Sequence, residues 1–124
     1  MPLQDEGKKA VLNGLKSAAT QVRVLIEQEP VSQGDPPTFT QSDPLPVTWG
    51  DPAKVSGQEV WRITASNAPS LVWNINPVLS NHIVYAVEVL NSSNVSLGAK
   101  TLDTPELFDR EGEFDLELLI ISTQ

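Results

Sequence analysis

The chain of 124 residues has no cysteine, a single histidine and no long apolar run. Without cysteine it forms no disulfide and offers no thiolate to a metal, and one histidine argues against a zinc site. No apolar run reaches the roughly 20 residues that a transmembrane helix needs. The opening residues, MPLQDE, lack the basic start and apolar stretch of a secretory leader. We therefore expect a protein that is made in the cytosol and stays soluble.

Enzyme motifs are missing as well. A Ser-His-Asp triad would have to use His82, and the chain contains no G-x-S-x-G elbow. It also contains neither a Walker A loop nor a G-x-G-x-x-G turn for a nucleotide. We therefore predict no catalytic residue, no cofactor and no metal, and expect the protein to bind or to build rather than to catalyse.

The charge is strongly acidic, with 16 acidic residues against 8 basic ones and a net charge of -8. This balance argues against a nucleic-acid partner, because binding phosphates requires a basic face. It favours a protein partner that carries basic patches.

Seven of the acids lie within residues 103–117, where Arg110 is the only base. In an extended strand Glu113, Asp115 and Glu117 share one face, opposite the apolar residues between them. A calcium site and a glycosidase pair are two functional interpretations of this stripe. A solvated face of a sheet is the preferred one, because the EF-hand pattern is absent.

An N-terminal arm, residues 1–19, is predicted to be helical. Asp5 is a candidate N-cap, and apolar residues follow at a helical period despite Gly14. An isolated helix of this length is marginally stable, so it must pack against the domain's own sheet or a neighbouring subunit.

The rest of the chain shows the alternation of β-strands. Residues 20–27 alternate apolar and polar side chains, and several short strands are predicted within residues 47–124. These are residues 47–49, 59–65, 71–75, 82–90, 95–97, a stretch near Thr101, and 113–122. Residues 82–90 are apolar almost throughout and are expected to form the longest strand. Residues 91–94 suit a hairpin turn.

Between these strands lies a proline-rich segment, residues 28–46. Proline removes backbone donors, so no central strand is expected there. We interpret the segment as an extended arm, with Phe39 and Leu45 as its apolar anchors. Taken together, the patterns predict one mainly β domain, residues 1–124: a β-sandwich or jelly roll with a short N-terminal helix and a body formed by residues 20–27 and 47–124.

The three tryptophans are assigned mainly to the core. Trp61 and Trp73 alternate in phase with other apolar residues and should point inward, whereas Trp49, beside Gly50, is the least certain. Exposed apolar residues of the helix, the arm and this loop are the candidate partner-binding residues. They are Val11, Leu12, Leu15, Phe39, Leu45 and Trp49.

Several segments together resemble a known family. They are a helix with the sequence KKAVLNGL at residues 8–15, the segment VTWGDPA at residues 47–53, short strands at 61–64 and 83–90, and Gly-Glu-Phe at 112–114. This layout is similar to small virion proteins of tailed bacteriophages, labelled tail-fibre or head-decoration proteins. The resemblance implies a β-sandwich that assembles on a capsid or tail without catalysis.

The leading expectation is a capsid decoration (cement) protein that binds the outer shell. Its partners would be the major capsid protein or other virion proteins, with a dimer or trimer of the chain on the particle and no contact with nucleic acid or membrane. It would be made in the host cytoplasm and reside in the virion. The alternative is a tail-fibre or receptor-binding module that recognises host glycans through Trp49 and Tyr85. A hydrolase using the acids of residues 109–117 is a third, weaker option.

Overall fold

The computed structural model describes residues 3–116 and 118–123, and within them the chain is mainly β with one α-helix, as the sequence predicts. The elements, in chain order, are α1 (Asp5–Ala18), β1 (Gln21–Gln28), β2 (Thr38–Gln41), β3 (Leu45–Pro46), β4 (Ala53–Lys54), β5 (Trp61–Thr64), a 3-10 turn (Ala68–Ser70), β6 (Val72–Ile75), β7 (His82–Leu90), β8 (Ser96–Phe108), β9 (Gly112–Asp115) and β10 (Ile120–Ser122). None of the helical residues described is part of a stretch long and apolar enough to cross a membrane.

The strands of the described residues form three antiparallel sheets. The largest has five strands in the order β2-β1-β7-β8, with β3 also paired to β1. A second sheet has the order β10-β5-β4, and β6 pairs with β9 in the third. The bounds of β7 agree with the strand predicted at residues 82–90.

The five-stranded sheet has two distinct faces. Val22 and Val24 of β1 are fully buried and lie opposite Val89 and Val87 of β7, which defines the inner face. Residues between them point to the other side, the outer face. There the Arg23 guanidinium donates a 2.6 Å hydrogen bond to the Glu88 carboxylate, its cross-strand neighbour.

Helix α1 packs against strands of the same chain, which is the first of the two packing partners expected from the sequence. Leu12 is fully buried in the core, and the helix lies against β5. Gln4, and not the predicted Asp5, occupies the N-cap position, without a side-chain cap. Asp5 instead accepts a hydrogen bond from the Trp61 indole N–H at 3.1 Å, which fastens the start of the helix to β5.

The proline-rich segment is not an arm, which corrects the prediction for residues 28–46. Its second half returns to β1, where Thr38–Gln41 pairs with residues 25–28 and Leu45–Pro46 pairs with residues 21 and 22. Residues 29–37 and the short link at residues 42–44 are the connections without strand structure. Proline is compatible with this arrangement because β2 and β3 lie at the edge of the sheet, where a missing donor is tolerated.

The C-terminal half also differs from the sequence expectation. The longest strand is β8, with 13 residues against 9 in β7. Its ladder to β7 jumps from Glu106 opposite Val84 to Thr101 opposite Ala86, so residues 102–105, which include Pro105, bulge out of register. The strand predicted at 113–122 is two strands, β9 and β10, in different sheets.

The core draws buried residues from the helix, from the inner face and from both smaller sheets. It combines Leu12 of the helix and Val24 of the large sheet with Ile63 of β5 and Trp73 of β6, all buried. The predicted strand at 47–49 is reduced to a single bridge between Trp49 and Ala65. The predicted turn is present: the Asn91 side-chain oxygen accepts the backbone N–H groups of Ser93 and Val95.

Candidate assembly surfaces

A row of apolar side chains crosses the outer face of the five-stranded sheet. The register places Phe39 of β2 opposite Glu27 of β1, Glu27 opposite Ile83 of β7, and Ile83 opposite Leu107 of β8. Residues directly opposite one another across antiparallel strands share a face. We call Phe39, Ile83, Leu107 and the adjacent Tyr85 the outer-face patch.

The aromatic members of this patch contact each other. The rings of Phe39 and Tyr85 meet edge to face, with centroids 5.9 Å apart and planes at 81°. Tyr85 is half-buried, whereas Phe39 is 62% exposed and Leu107 is 55% exposed. A bulge positions Tyr85: Leu25 pairs with Ala86 and Ile26 with Val84, so Tyr85 is the extra residue on β7.

Further apolar residues are exposed at the same end of the sheet. Val78 and Leu79, in the connection before β7, are 79% and 76% exposed, and Val31 after β1 is 69% exposed. The Glu29 backbone N–H donates to the Asn81 carbonyl at 2.9 Å, which holds the two connections side by side. Several large exposed apolar residues at one end of a sheet favour a site of interaction.

The charges around the outer-face patch are mainly negative. Glu27 lies within the row, and the Glu29 carboxylate accepts a hydrogen bond from the Asn81 amide at 3.0 Å. Arg23 is paired with Glu88 at 2.6 Å. A partner that covers the patch would therefore need apolar side chains surrounded by bases.

The structure separates the predicted partner-binding residues. Leu12 is fully buried and Trp49 is 6% exposed, with its indole N–H donating to the Ala19 carbonyl at 2.8 Å. Their burial corrects the expectation that they face a partner, because both belong to the core. Phe39 and Val11 are exposed on different elements, and Leu15 and Leu45 are half-buried against the core.

Around α1, acids and bases pair with each other. The Asp5 carboxylate lies 3.6 Å from the Lys54 ammonium, and the hydrogen bond from Trp61, followed by Lys54, lowers the pKa of Asp5 below its ordinary value. Lys16 donates to Asp51 at 2.7 Å, and this contact lowers the pKa of Asp51. The Lys8 ammonium donates to the Glu59 carbonyl. These contacts hold the helix in place and leave it little charge with which to bind a partner.

The acidic stripe matches the predicted solvated face as far as it is described. Glu113 and Asp115 are exposed on β9, while Phe114 between them is buried; Glu117, the third acid, lies outside the described residues. Within residues 3–116 and 118–123, no three His, Asp or Glu side chains gather into a metal-binding group. His82 is half-buried, and its Nδ1 lies 2.9 Å from the Ser80 carbonyl oxygen.

A second apolar surface is a groove of 620 Å³ on the inner side of β8. Its floor is aliphatic and comes from the end of the helix, from β7, from the connection before β10, and from β10 itself. These residues include Leu15, Val87, Val89, Leu116, Leu119 and Ile121. Residues 97–103 of β8 form one rim, so the groove opens beside a sheet edge.

The sequence pointed to Phe39 and Tyr85 separately, as a partner anchor and a glycan platform, but not to Ile83 and Leu107 or to one surface that contains all four. The alternation within β7 and β8 is visible in the sequence, but the bulges in both strands shift the phase. Only the register between strands shows that these residues meet. Comparison with protein-family models, curated proteins and solved structures finds no match to this chain.

Proposed function

We propose that this chain is a non-catalytic structural protein of a tailed-bacteriophage particle, a capsid decoration protein that binds the outer shell. The observation that carries the proposal is the outer-face patch, in which Phe39 and Leu107 are 62% and 55% exposed on the same face of one sheet. Exposed aromatic and aliphatic side chains at the centre of a surface are typical anchors of protein interfaces. The proposed location on a phage particle rests on the resemblance of the sequence to small virion proteins of tailed bacteriophages.

The same proposal includes the finer architecture, a β-sandwich. The inner face of the five-stranded sheet forms one layer, and the two smaller sheets with α1 form the other. The shared core supports this arrangement, since Val24 and Val84 belong to the same buried cluster as Ile63 and Trp73. A rigid layered body leaves the outer face of the large sheet available for docking.

The mode of binding follows from the surface. The outer-face patch runs across the sheet from β2 to β8, so affinity would come from apolar area and from bases on the shell that meet Glu27 and Glu29. Binding through a single patch allows many copies of the chain to bind a repetitive shell, and each copy adds one interface to the particle.

The test uses particles that lack the chain, to which purified protein is added before sedimentation. The double substitution Phe39→Ser with Leu107→Ser should lower occupancy at least tenfold, since each anchor contributes about 1 kcal/mol or more to such an interface. Val95→Ser is the matched control: Val95 is 57% exposed but lies in the turn before β8. Equal occupancy for the double variant, the control and the unmodified protein would refute the role of the patch.

The alternative function is a tail-fibre module that binds host glycans, and in it Phe39 replaces Trp49 as the partner of Tyr85. Trp49 is buried, so the remaining platform is the Phe39–Tyr85 pair. Titration of intrinsic fluorescence with cell-wall sugars distinguishes the two functions. A saturable change that Phe39→Ser abolishes, together with unchanged particle binding, would favour the glycan module over the decoration protein.

A further inference from the structure

We propose that the free edge of β8, at residues 96–101, binds an extended segment of another protein as an additional strand. This edge is separate from the outer-face patch, and the inference does not depend on the particle on which the chain resides. Within the described residues, β8 pairs with β7 on one side and with no strand on the other. An unpaired edge presents a row of backbone donors and acceptors that an extended peptide can satisfy.

The edge is protected along only part of its length. Residues 102–105 bulge out of the ladder and include Pro105, and both features prevent a new strand from pairing. Before the bulge, residues 96–101 have the sequence Ser-Leu-Gly-Ala-Lys-Thr, with a single charge and no proline. An added strand would therefore be short and would end at the bulge.

The groove supplies the apolar contact that a short strand needs. Gly98 and Lys100 lie opposite Val89 and Val87, which places them on the inner face, above the groove. The position of a Cβ on Gly98 would have no heavy atom within 4 Å. A large apolar side chain of the added strand would fit over this glycine and cover the aliphatic floor.

The charge of Lys100 defines the second feature of the partner. Lys100 has no ion-pair partner among the residues that the structure describes, and it belongs to a chain with a net charge of -8. Directly opposite residues of an antiparallel pair attract when their charges differ. The segment that fits carries a large apolar residue opposite Gly98 and, two positions away on the same face, an acid opposite Lys100.

A second copy of β8 is a poorer occupant. In the two-fold antiparallel pairing centred on Gly98, Lys100 of one copy would lie opposite Ser96 of the other and Gly98 opposite Gly98, so a second copy would supply neither an acid nor a large apolar side chain on this face. We therefore assign the edge to a different protein.

The experiment is selection from a displayed library of random seven-residue peptides on the immobilised full chain. We expect enrichment of peptides with an acid and a large apolar residue two positions apart, and Lys100→Glu should change the acid in the selected peptides to a base. Arg110→Glu is the matched control, because the Arg110 side chain is 89% exposed in the turn after β8. It should select the original peptides.

A second variant tests the space over Gly98. Gly98→Val should reduce binding of a selected peptide at least tenfold while the far-ultraviolet circular dichroism spectrum stays unchanged, since the added side chain fills the peptide's place and its Cβ has no heavy atom of the folded chain within 4 Å. The proposal is overturned if no peptide family is enriched, if Lys100→Glu selects the same peptides, or if sedimentation shows a dimer of the unmodified chain that Gly98→Val dissociates. Loss of particle binding on Phe39→Ser has no bearing on these outcomes.

Discussion

At the scale of residues, the three tryptophans show how one residue type serves different elements. The indole N–H of Trp49 donates to Ala19, that of Trp73 donates to Asp43, and that of Trp61 donates to Asp5. Each of these bonds joins segments distant in sequence, and in each case a ring packs against the core while its polar atom finds a partner. The tryptophans therefore fasten the helix and the proline-rich segment to the sheets.

The contact between Asp5 and Trp61 gives a pH dependence with a defined sign. The pKa of Asp5 is lowered in the folded protein, so the ionised form stabilises the docked helix above the pKa of the unfolded chain, ordinarily 3.8. This stabilisation is lost as the pH falls through the lower, folded value. We expect Trp61 to become more exposed and the fluorescence maximum to shift to the red below about pH 4.

Asp5→Asn should remove this part of the titration, whereas Asp51→Asn should leave the Trp61 signal unchanged because Asp51 pairs with Lys16 and not with the indole. The measurement is fluorescence emission between pH 2 and pH 7. An identical acid transition in the Asp5→Asn variant and the unmodified protein would contradict the assignment.

At the scale of elements, the proline-rich segment shows that edge strands can form in a sequence of low strand propensity. Its backbone is anchored from several sides: the Val24 N–H donates to the Ser42 hydroxyl oxygen at 2.9 Å, and the Trp73 indole donates to the Asp43 carbonyl. In the connection at residues 29–37, Glu29 is bonded to Asn81, whereas residues 30–37 are all exposed and belong to no strand.

Two deletions should therefore differ sharply. Removing residues 32–35 shortens an exposed loop and should change the melting temperature by only about 3 °C or less, because loop closure depends weakly on length. Removing residues 38–46 takes away β2, β3 and their anchors, and should cost at least about 3 kcal/mol of unfolding free energy. Thermal unfolding followed by circular dichroism compares them, and equal stability of the two variants would restore the interpretation of the whole segment as a free arm.

At the scale of the whole molecule, three sheets and one helix share a single buried cluster. Leu12, Val24, Ile63 and Trp73 represent all four of these parts within it. When elements bury their apolar faces against one another in this way, none retains its own core after separation from the rest. The prediction of one domain, residues 1–124, therefore has a measurable consequence.

Urea unfolding should be one transition, with the same midpoint by tryptophan fluorescence and by far-ultraviolet circular dichroism. Leu12→Ala removes a fully buried side chain and should lower the unfolding free energy by about 2–5 kcal/mol, shifting both signals together. Val11→Ala, at an exposed neighbouring position, should change it by less than about 0.5 kcal/mol. Separate midpoints for the two signals would indicate independent units.

The local patterns of the chain were sufficient to determine the mainly β class, the helix near the start, β1, β7 and the turn at Asn91. In each case the deciding forces act between neighbours in sequence: the alternation of Val22 and Val24, the period of the helix, and the hydrogen bonds of one asparagine side chain to backbone two to four residues ahead. The exposure of Phe39 also followed, since no apolar pattern surrounds it.

Only the tertiary structure decided the rest, because it depends on contacts between distant segments. The backbone of β1 needed a partner on its second side and took it from the proline-rich segment, against local propensity. Trp49 became core because Ala19 and Ala65 meet it across more than a dozen residues of chain. The outer-face patch exists because bulges bring Tyr85 beside Phe39 and align Ile83 with Leu107, a register that no single strand encodes.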